Sequence, residues 1–170
     1  ICVDRNSTVI PSKELADTMI PYTGLAHIEA ETGMAEQIAT PANSLKSAVK
    51  LYQQGDIVFA KMRPNLRKVA LMDFAEPGYV SPECAVLTVR KTGKGASLLD
   101  PLILSVLLRS DFVYGQIMHL IAGIGRPRIG IKELLDVKIP IPPEKVQEQI
   151  KADYLKRSTT IEQLKREAER

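Results

Sequence analysis

The chain has 170 residues, of which 45% are hydrophobic and 25% charged, and its formal net charge is +3. This composition suits one folded domain with an appendage and excludes both a disordered chain and a polybasic tail. The two cysteines, Cys2 and Cys84, and the two histidines, His27 and His119, lie too far apart in sequence for a disulfide scaffold or a zinc pattern.

The first 90 residues read as short strands and loops. Ile20–Leu25 is β-prone, with Pro21 at its start or on an edge. Glu31-Thr32-Gly33 reads as a turn, and residues 34–50 are ambiguous. Gly55-Asp56 punctuates the chain before the apolar run Ile57–Ala60. Pro64-Asn65 breaks that run, Lys68–Met72 returns, Tyr79-Val80 follows Gly78, and Cys84–Val89 is a further strand. The many short strands between Gly and Pro predict a compact, curved, barrel-like β unit.

The pattern changes after the polar turn Lys91–Gly95. Asp100-Pro101 is a helix start, with Asp100 as cap and Leu102, Ile103, Val106 and Leu107 at helical spacing. Ser110-Asp111 caps a second helix carrying Phe112, Ile117 and Leu120, ended by Gly123 and Gly125. Residues 131–143, with Pro140, Pro142 and Pro143, read as an extended exit. A long helix opens at Glu144. Its apolar positions include Ile150, Tyr154, Ile161 and Leu164 at near-heptad steps, with Arg157 on the seam. If fully helical, residues 144–170 would reach about 40 Å, more than capping a small domain requires. That favours a partner helix. The expected fold class is α+β, with a β-rich domain over residues 1–143 and a spacer or dimerisation helix over residues 144–170.

The small net charge hides an uneven distribution. Residues 1–60 hold 4 basic and 7 acidic residues, residues 61–143 hold 12 and 7, and residues 144–170 hold 7 and 6. Within the middle block, Lys61, Arg63, Arg67 and Lys68 flank the turn at Pro64-Asn65 with no acid among them, and Arg126-Pro127-Arg128 forms a second basic group. Such groups attract phosphate, and arginine also reads guanine edges bidentately. Asn65 suits adenine recognition or simply the turn. The bland alternatives are a solvated surface for the first group and pairing with Glu133 or Asp136 for the second.

Catalytic constellations are not visible. Cys84 sits in an apolar strand pattern and reads as a buried small residue. His27 has no local companion for acid–base work. Gly123-Ile124-Gly125 lacks the downstream Gly-Lys-Ser/Thr of a phosphate-binding loop. No membrane span or secretory signal is visible, so the cytoplasm is the default location. The start at Ile1 rather than Met reads as that of a trimmed or excised piece.

Several of these segments also carry a family likeness. Tyr22–Glu29, the run Gly55–Pro64 continuing through Leu66, Lys68, Val69 and Ala70, Ser81-Pro82-Glu83, Leu107–Ser110, Gly125–Ile129 and Ile139–Pro143 with Gln149 and Ile150 occur in a telling order. Together they resemble a target recognition domain of the specificity subunit of type I restriction-modification enzymes, or the equivalent domain of a fused adenine-N6 DNA methyltransferase. The likeness covers about residues 20–155. The late loop departs from the family, which more often has polar residues than Arg126-Pro127-Arg128, and base-reading residues vary with target sequence in such domains, so their roles do not transfer.

The resemblance implies a non-catalytic module that reads one half of a bipartite double-stranded DNA target. It directs an adenine-N6 methyltransferase and, in a restricting system, a restriction subunit. S-adenosylmethionine, Mg and ATP then belong to partner subunits, and this chain needs no cofactor or metal of its own. The DNA-binding candidates are Lys61, Arg63, Asn65, Arg67, Lys68, Arg126 and Arg128, expected around one electropositive cleft. Ile150, Tyr154, Ile161 and Leu164 are candidates for a dimer or partner helix. A second recognition domain is expected by homodimerisation or within the same parent chain. The competing readings are a structural interaction module with little DNA affinity alone, and an unrelated small enzyme in which His27 meets a carboxylate and a nucleophile.

Overall fold

The computed structural model describes residues 2–5, 8–15, 17–91, 93 and 95–170. The chain divides into two compact units, Ile1–Ile139 and Pro140–Arg170. In the first, nine strands are described: β1 (Cys2–Asp4), β2 (Val9–Ile10), β3 (Met19–Thr23), β4 (Ile38–Pro41), β5 (Val49–Tyr52), β6 (Ile57–Ala60), β7 (Val69–Leu71), β8 (Gly78–Val80) and β9 (Cys84–Val89). The expected curved β unit takes the form of two sheets, ordered β1-β9-β6-β7 and β2-β5-β8-β3-β4. In the second sheet β3 runs parallel to β8, and the other pairings are antiparallel.

Strand β6 is central in the first sheet, with Ala60 opposite Cys84 in β9 and Phe59 opposite Val69 in β7. All four of its residues are buried, as an unbroken apolar run requires when both faces of a strand are covered. Val58, Ala70, Cys84 and Val86 from this sheet pack with Tyr52 and Val80 from the other, around Ile28 and Met72. The Tyr52 hydroxyl is satisfied inside the core: it lies 2.9 Å from Thr23 Oγ1 and accepts from Gln37 Nε2 at 3.0 Å. It also fills the space a Cβ would take at Gly78, which explains glycine there.

A buried carboxylate closes the opposite end of β6. Asp56 is 1% exposed. It accepts from Arg5 Nε and Nη2 at 2.5 and 2.6 Å, from Thr88 Oγ1 at 2.7 Å and from the Gln53 amide at 2.8 Å. Four donors offset the cost of burying the charge. What reads in sequence as turn punctuation is thus a clamp joining the chain's start to β6 and β9.

Helix α1 (Pro101–Arg109) packs on β7 and β6. Asp100 caps it as expected, accepting from the Leu102 amide at 2.8 Å. Its Arg109 is buried and donates to the Val69 carbonyl at 2.7 Å. The guanidinium lies in the space left by Gly33, whose φ of +77° also requires glycine. Helix α2 (Asp111–Met118) is capped by Ser110. It buries Val113 and Ile117, not the expected Phe112, which is 63% exposed. Leu120 falls beyond the helix end, because α2 stops at Met118 well before Gly123.

The exit segment also differs from expectation. Ile131–Leu135 forms a short helix, α3, with Leu134 buried, and only the proline-rich part that follows is non-helical. The polar turn expected at Lys91–Gly95 lies partly outside the described residues. The second unit carries α4 (Glu144–Ala168), which buries none of its residues. Its partly covered positions are Gln147, Ile150, Tyr154, Ser158 and Ile161, while Leu164 is exposed. The stripe therefore runs through Ser158 rather than Arg157, which pairs with Asp153 at 2.8 Å. No described helix is long and apolar enough to cross a membrane.

Candidate nucleic-acid interface

Two loops far apart in sequence meet where β6 ends. The Lys61 amide donates to the Glu83 carbonyl at 2.9 Å, and the Lys61 carbonyl accepts from Ile129 at 3.1 Å. Just beyond, the Arg63 amide donates to the Pro127 carbonyl at 2.8 Å, with Met62 and Arg128 bridged between these bonds. Arg128 in turn exchanges two backbone bonds of 2.9 Å with Ala122. Three backbone segments thus lie side by side, and the basic groups around Arg63 and Arg126 share one edge of the first unit.

The turn that follows is strained where it is most basic. Arg63 and Arg67 both adopt left-handed backbone, at φ +51° and +50°, and bracket a 3-10 turn over Pro64–Leu66. Non-glycine residues with positive φ are uncommon and concentrate at functional sites. Arg63 and Asn65 are exposed. On the neighbouring loop Arg126 is exposed, and the Arg128 side chain is 50% exposed while it pairs with Glu83 at 2.7 Å. Glu83, rather than the Glu133 or Asp136 named as alternative partners, supplies that acid. Lys61 stands behind them, partly buried. Burial, and next the nearby Lys50 charge, hold its amine below the ordinary lysine range.

Arg67 and Lys68 are drawn into the fold instead. The Arg67 guanidinium lies 4.0 Å from the centroid of the Tyr114 ring, pairs with Asp111 at 2.7 Å and donates to the Arg109 carbonyl at 3.1 Å. Its side chain is only 22% exposed. Lys68 Nζ donates to the Leu25 carbonyl at 2.6 Å. Lys61, Arg63, Arg126 and Arg128 thus lie on adjoining backbone segments, while Arg67 and Lys68 pin the turn to α2 and to the residues after β3.

Cys84 and His27 are both engaged in the fold. Cys84 is fully buried, and burial pushes its thiol up to about 12, so it stays protonated at neutral pH. His27 Nδ1 accepts from the Gly24 amide at 3.1 Å, a local turn bond. Among the described residues no group of three or more His, Cys, Asp and Glu side chains is placed to hold a metal ion.

The family model for the type I restriction modification DNA specificity domain matches residues 3–170. The chain belongs to that family. Two solved structures share the fold of this specificity domain. One is the HsdS subunit from Thermoanaerobacter tengcongensis, at a TM-score of 0.72 and 22% identity. The other is a chain from a structure described as the basis of complex assembly and conformational transition of the type I R-M system, at a TM-score of 0.71 and 22% identity. Each match covers 99% of the specificity domain and 45% of the solved chain, so the domain spans less than half the length of those relatives. No curated protein matches the chain.

Proposed function

We propose that this specificity domain reads one half of a bipartite duplex target through the edge that carries Arg63, Asn65, Arg126 and Arg128, with Lys61 behind it. The observation that carries this reading is the Arg63–Pro127 backbone bond, which brings two basic loops together across the fold. Exposed arginines on backbone already fixed by hydrogen bonds engage phosphate or base edges with little further loss of freedom. The domain performs no reaction itself. An adenine-N6 methyltransferase subunit supplies S-adenosylmethionine and takes the target base out of the stack, which requires a separate grip on the duplex. In a restricting system, ATP and Mg belong to the restriction subunit. The second half-site falls to another recognition domain, in a second copy or in the same parent chain. Ile150, Tyr154, Ile161 and Leu164 of α4 meet a partner helix. The system works in the cytoplasm, where its DNA is.

The test is binding of the assembled specificity–methyltransferase complex to target DNA across a salt series. Arg63→Gln and Arg126→Gln are each expected to weaken binding and to lower the salt slope by about one for every phosphate no longer neutralised. Unchanged affinity and slope in both variants would overturn the placement of the interface. A second reading, a module with little DNA affinity alone, draws support from α4, where no residue is buried. It predicts that Arg63→Gln and Arg126→Gln leave the DNA affinity and salt slope of the assembled complex unchanged while partner binding is retained.

A further inference from the structure

Ile124 is the most exposed large hydrophobic side chain described, at 106% of its reference area. Single exposed apolar side chains are common on protein surfaces and need no explanation by themselves. The setting of Ile124 is different. It stands in a five-residue loop, 123–127, closed by the paired backbone bonds between Ala122 and Arg128. Glycines flank it on both sides and offer no side chain to cover it. Gly123 has a φ of +96°, which holds the turn in a form that L side chains rarely adopt. Turn tips ordinarily take Gly, Asn, Asp or Ser, so a β-branched apolar residue here runs against local turn chemistry. The loop's base is docked on the segment Lys61–Arg63 that follows β6, so the isoleucine is presented on a fixed support.

Charge selects the occupant. Glu83 pairs with Arg128 at the base of the loop, but no acidic residue occurs in the chain between Asp111 and Glu133, and exposed Arg126 lies two residues from Ile124. Arg63 is held beside the same loop by its bond to Pro127. An apolar tip among arginines fits a surface that combines phosphates with apolar base groups. Duplex DNA offers two such groups, the thymine 5-methyl in the major groove and the face of a base at an opened step.

We infer that Ile124 is a specificity-determining residue that makes an apolar contact with a base of the half-site. This inference rests on the reading of the Arg63–Arg126 edge as the DNA interface, and it assigns discrimination to the isoleucine while the arginines supply grip. The tip enters a groove, and the flanking arginines neutralise the phosphates on either side of it.

The experiment uses the assembled specificity–methyltransferase complex and duplexes carrying the target mapped by adenine methylation. Ile124→Ser is expected to reduce discrimination between the target and single-base variants by about 5- to 150-fold at one position, the range for a single mismatched base pair. The salt slope stays unchanged, and Ile124→Val restores discrimination. Replacing half-site thymines by deoxyuridine, and placing 2-aminopurine at half-site steps, distinguishes the two groups. A loss of affinity on deoxyuridine that Ile124→Ser abolishes identifies the methyl. A fluorescence rise that Ile124→Ser abolishes identifies the opened step. If Arg63→Gln and Arg126→Gln weaken binding but Ile124→Ser leaves discrimination intact, this inference fails alone. If the arginine variants also bind normally, the interface itself is elsewhere. Loss of the methyltransferase subunit from the Ile124→Ser complex, with discrimination kept, would make the tip a protein contact and overturn the inference.

Discussion

Arg63 and Pro127 are joined by a backbone hydrogen bond of 2.8 Å although 64 positions separate them in the chain. The bond fixes Arg63 where its left-handed backbone turns out of the β6 line. Placing an L-residue there costs about 1 kcal/mol relative to glycine, against a gain of similar size from the stiffer unfolded chain. Arg63→Gly is therefore expected to leave the melting temperature equal or slightly raised while DNA binding weakens. Arg63→Val is expected to lower both. Thermal unfolding alongside a DNA titration checks the pair.

Arg67 carries the same charge and the opposite expectation. Its interactions with Tyr114, Asp111 and the Arg109 carbonyl are internal. Arg67→Gln is expected to cost about 1–2 kcal/mol of stability, because it removes a cation–π interaction and a hydrogen bond. The salt slope of DNA binding should not move. A slope reduced as far as in Arg63→Gln would show Arg67 on phosphate instead.

Lys61 gives a pH dependence with a definite sign. Its amine is held below the ordinary value of 10.5, so folding disfavours its proton. That cost is fully present below the lowered folded value and fades as pH rises through 10.5, above which both states are neutral. Lys61→Met is expected to raise the urea midpoint at neutral pH, with the difference from the parent narrowing as pH approaches 10.5. A gap that widens with pH would reverse the assignment. In complex with DNA, nearby phosphate favours the charged amine, so binding at a pH near the lowered folded value should take up protons, measurable by calorimetry in two buffers.

Asp56 should be among the costliest single positions. Asp56→Ala removes the carboxylate that Arg5, Thr88 and the Gln53 amide share, and about 3–5 kcal/mol of stability is expected to go with it. Arg5→Met combined with Asp56→Ala should cost less than the sum of the two, because the single variants each strand a partner. Urea unfolding of the four chains gives the coupling.

Cys84 and Cys2 should separate by alkylation. Cys84 is buried with its thiol pushed up to about 12, and Cys2 is only partly buried. In the native chain iodoacetamide is expected to label Cys2 alone, with Cys84 reacting after unfolding. Rapid native labelling of Cys84 would contradict its place in the core.

The strands from Ile57 to Val89 are legible in the sequence because each is an apolar run set off by Gly, Pro or Asp. Strands β1 and β2 are not, since two or three residues show no periodicity. Helix α3 is masked by the prolines after it, which make all of 131–143 read as extended. The basic loops are visible as charge, but charge does not distinguish Arg63 from Arg67. What distinguishes them is Tyr114 and Asp111, more than 40 positions away, and that neighbourhood exists only in the folded chain. The role of Asp56 is hidden for the same reason, its guanidinium partner lying 51 positions upstream. Ile124 stands out in the sequence only as part of a failed phosphate-loop pattern, although its glycine neighbours are in plain view.

The hairpin from Ala122 to Arg128 is attached to its support by amides and carbonyls. Such bonds are blind to side-chain identity. Residues 124 and 126 can therefore be rewritten without disturbing the perch that holds them, and under the proposed reading the rewriting would change what is read rather than whether the domain folds. Under that reading the loop would be an interchangeable lettering on a fixed stamp, and a library confined to those two positions is expected to yield altered specificities.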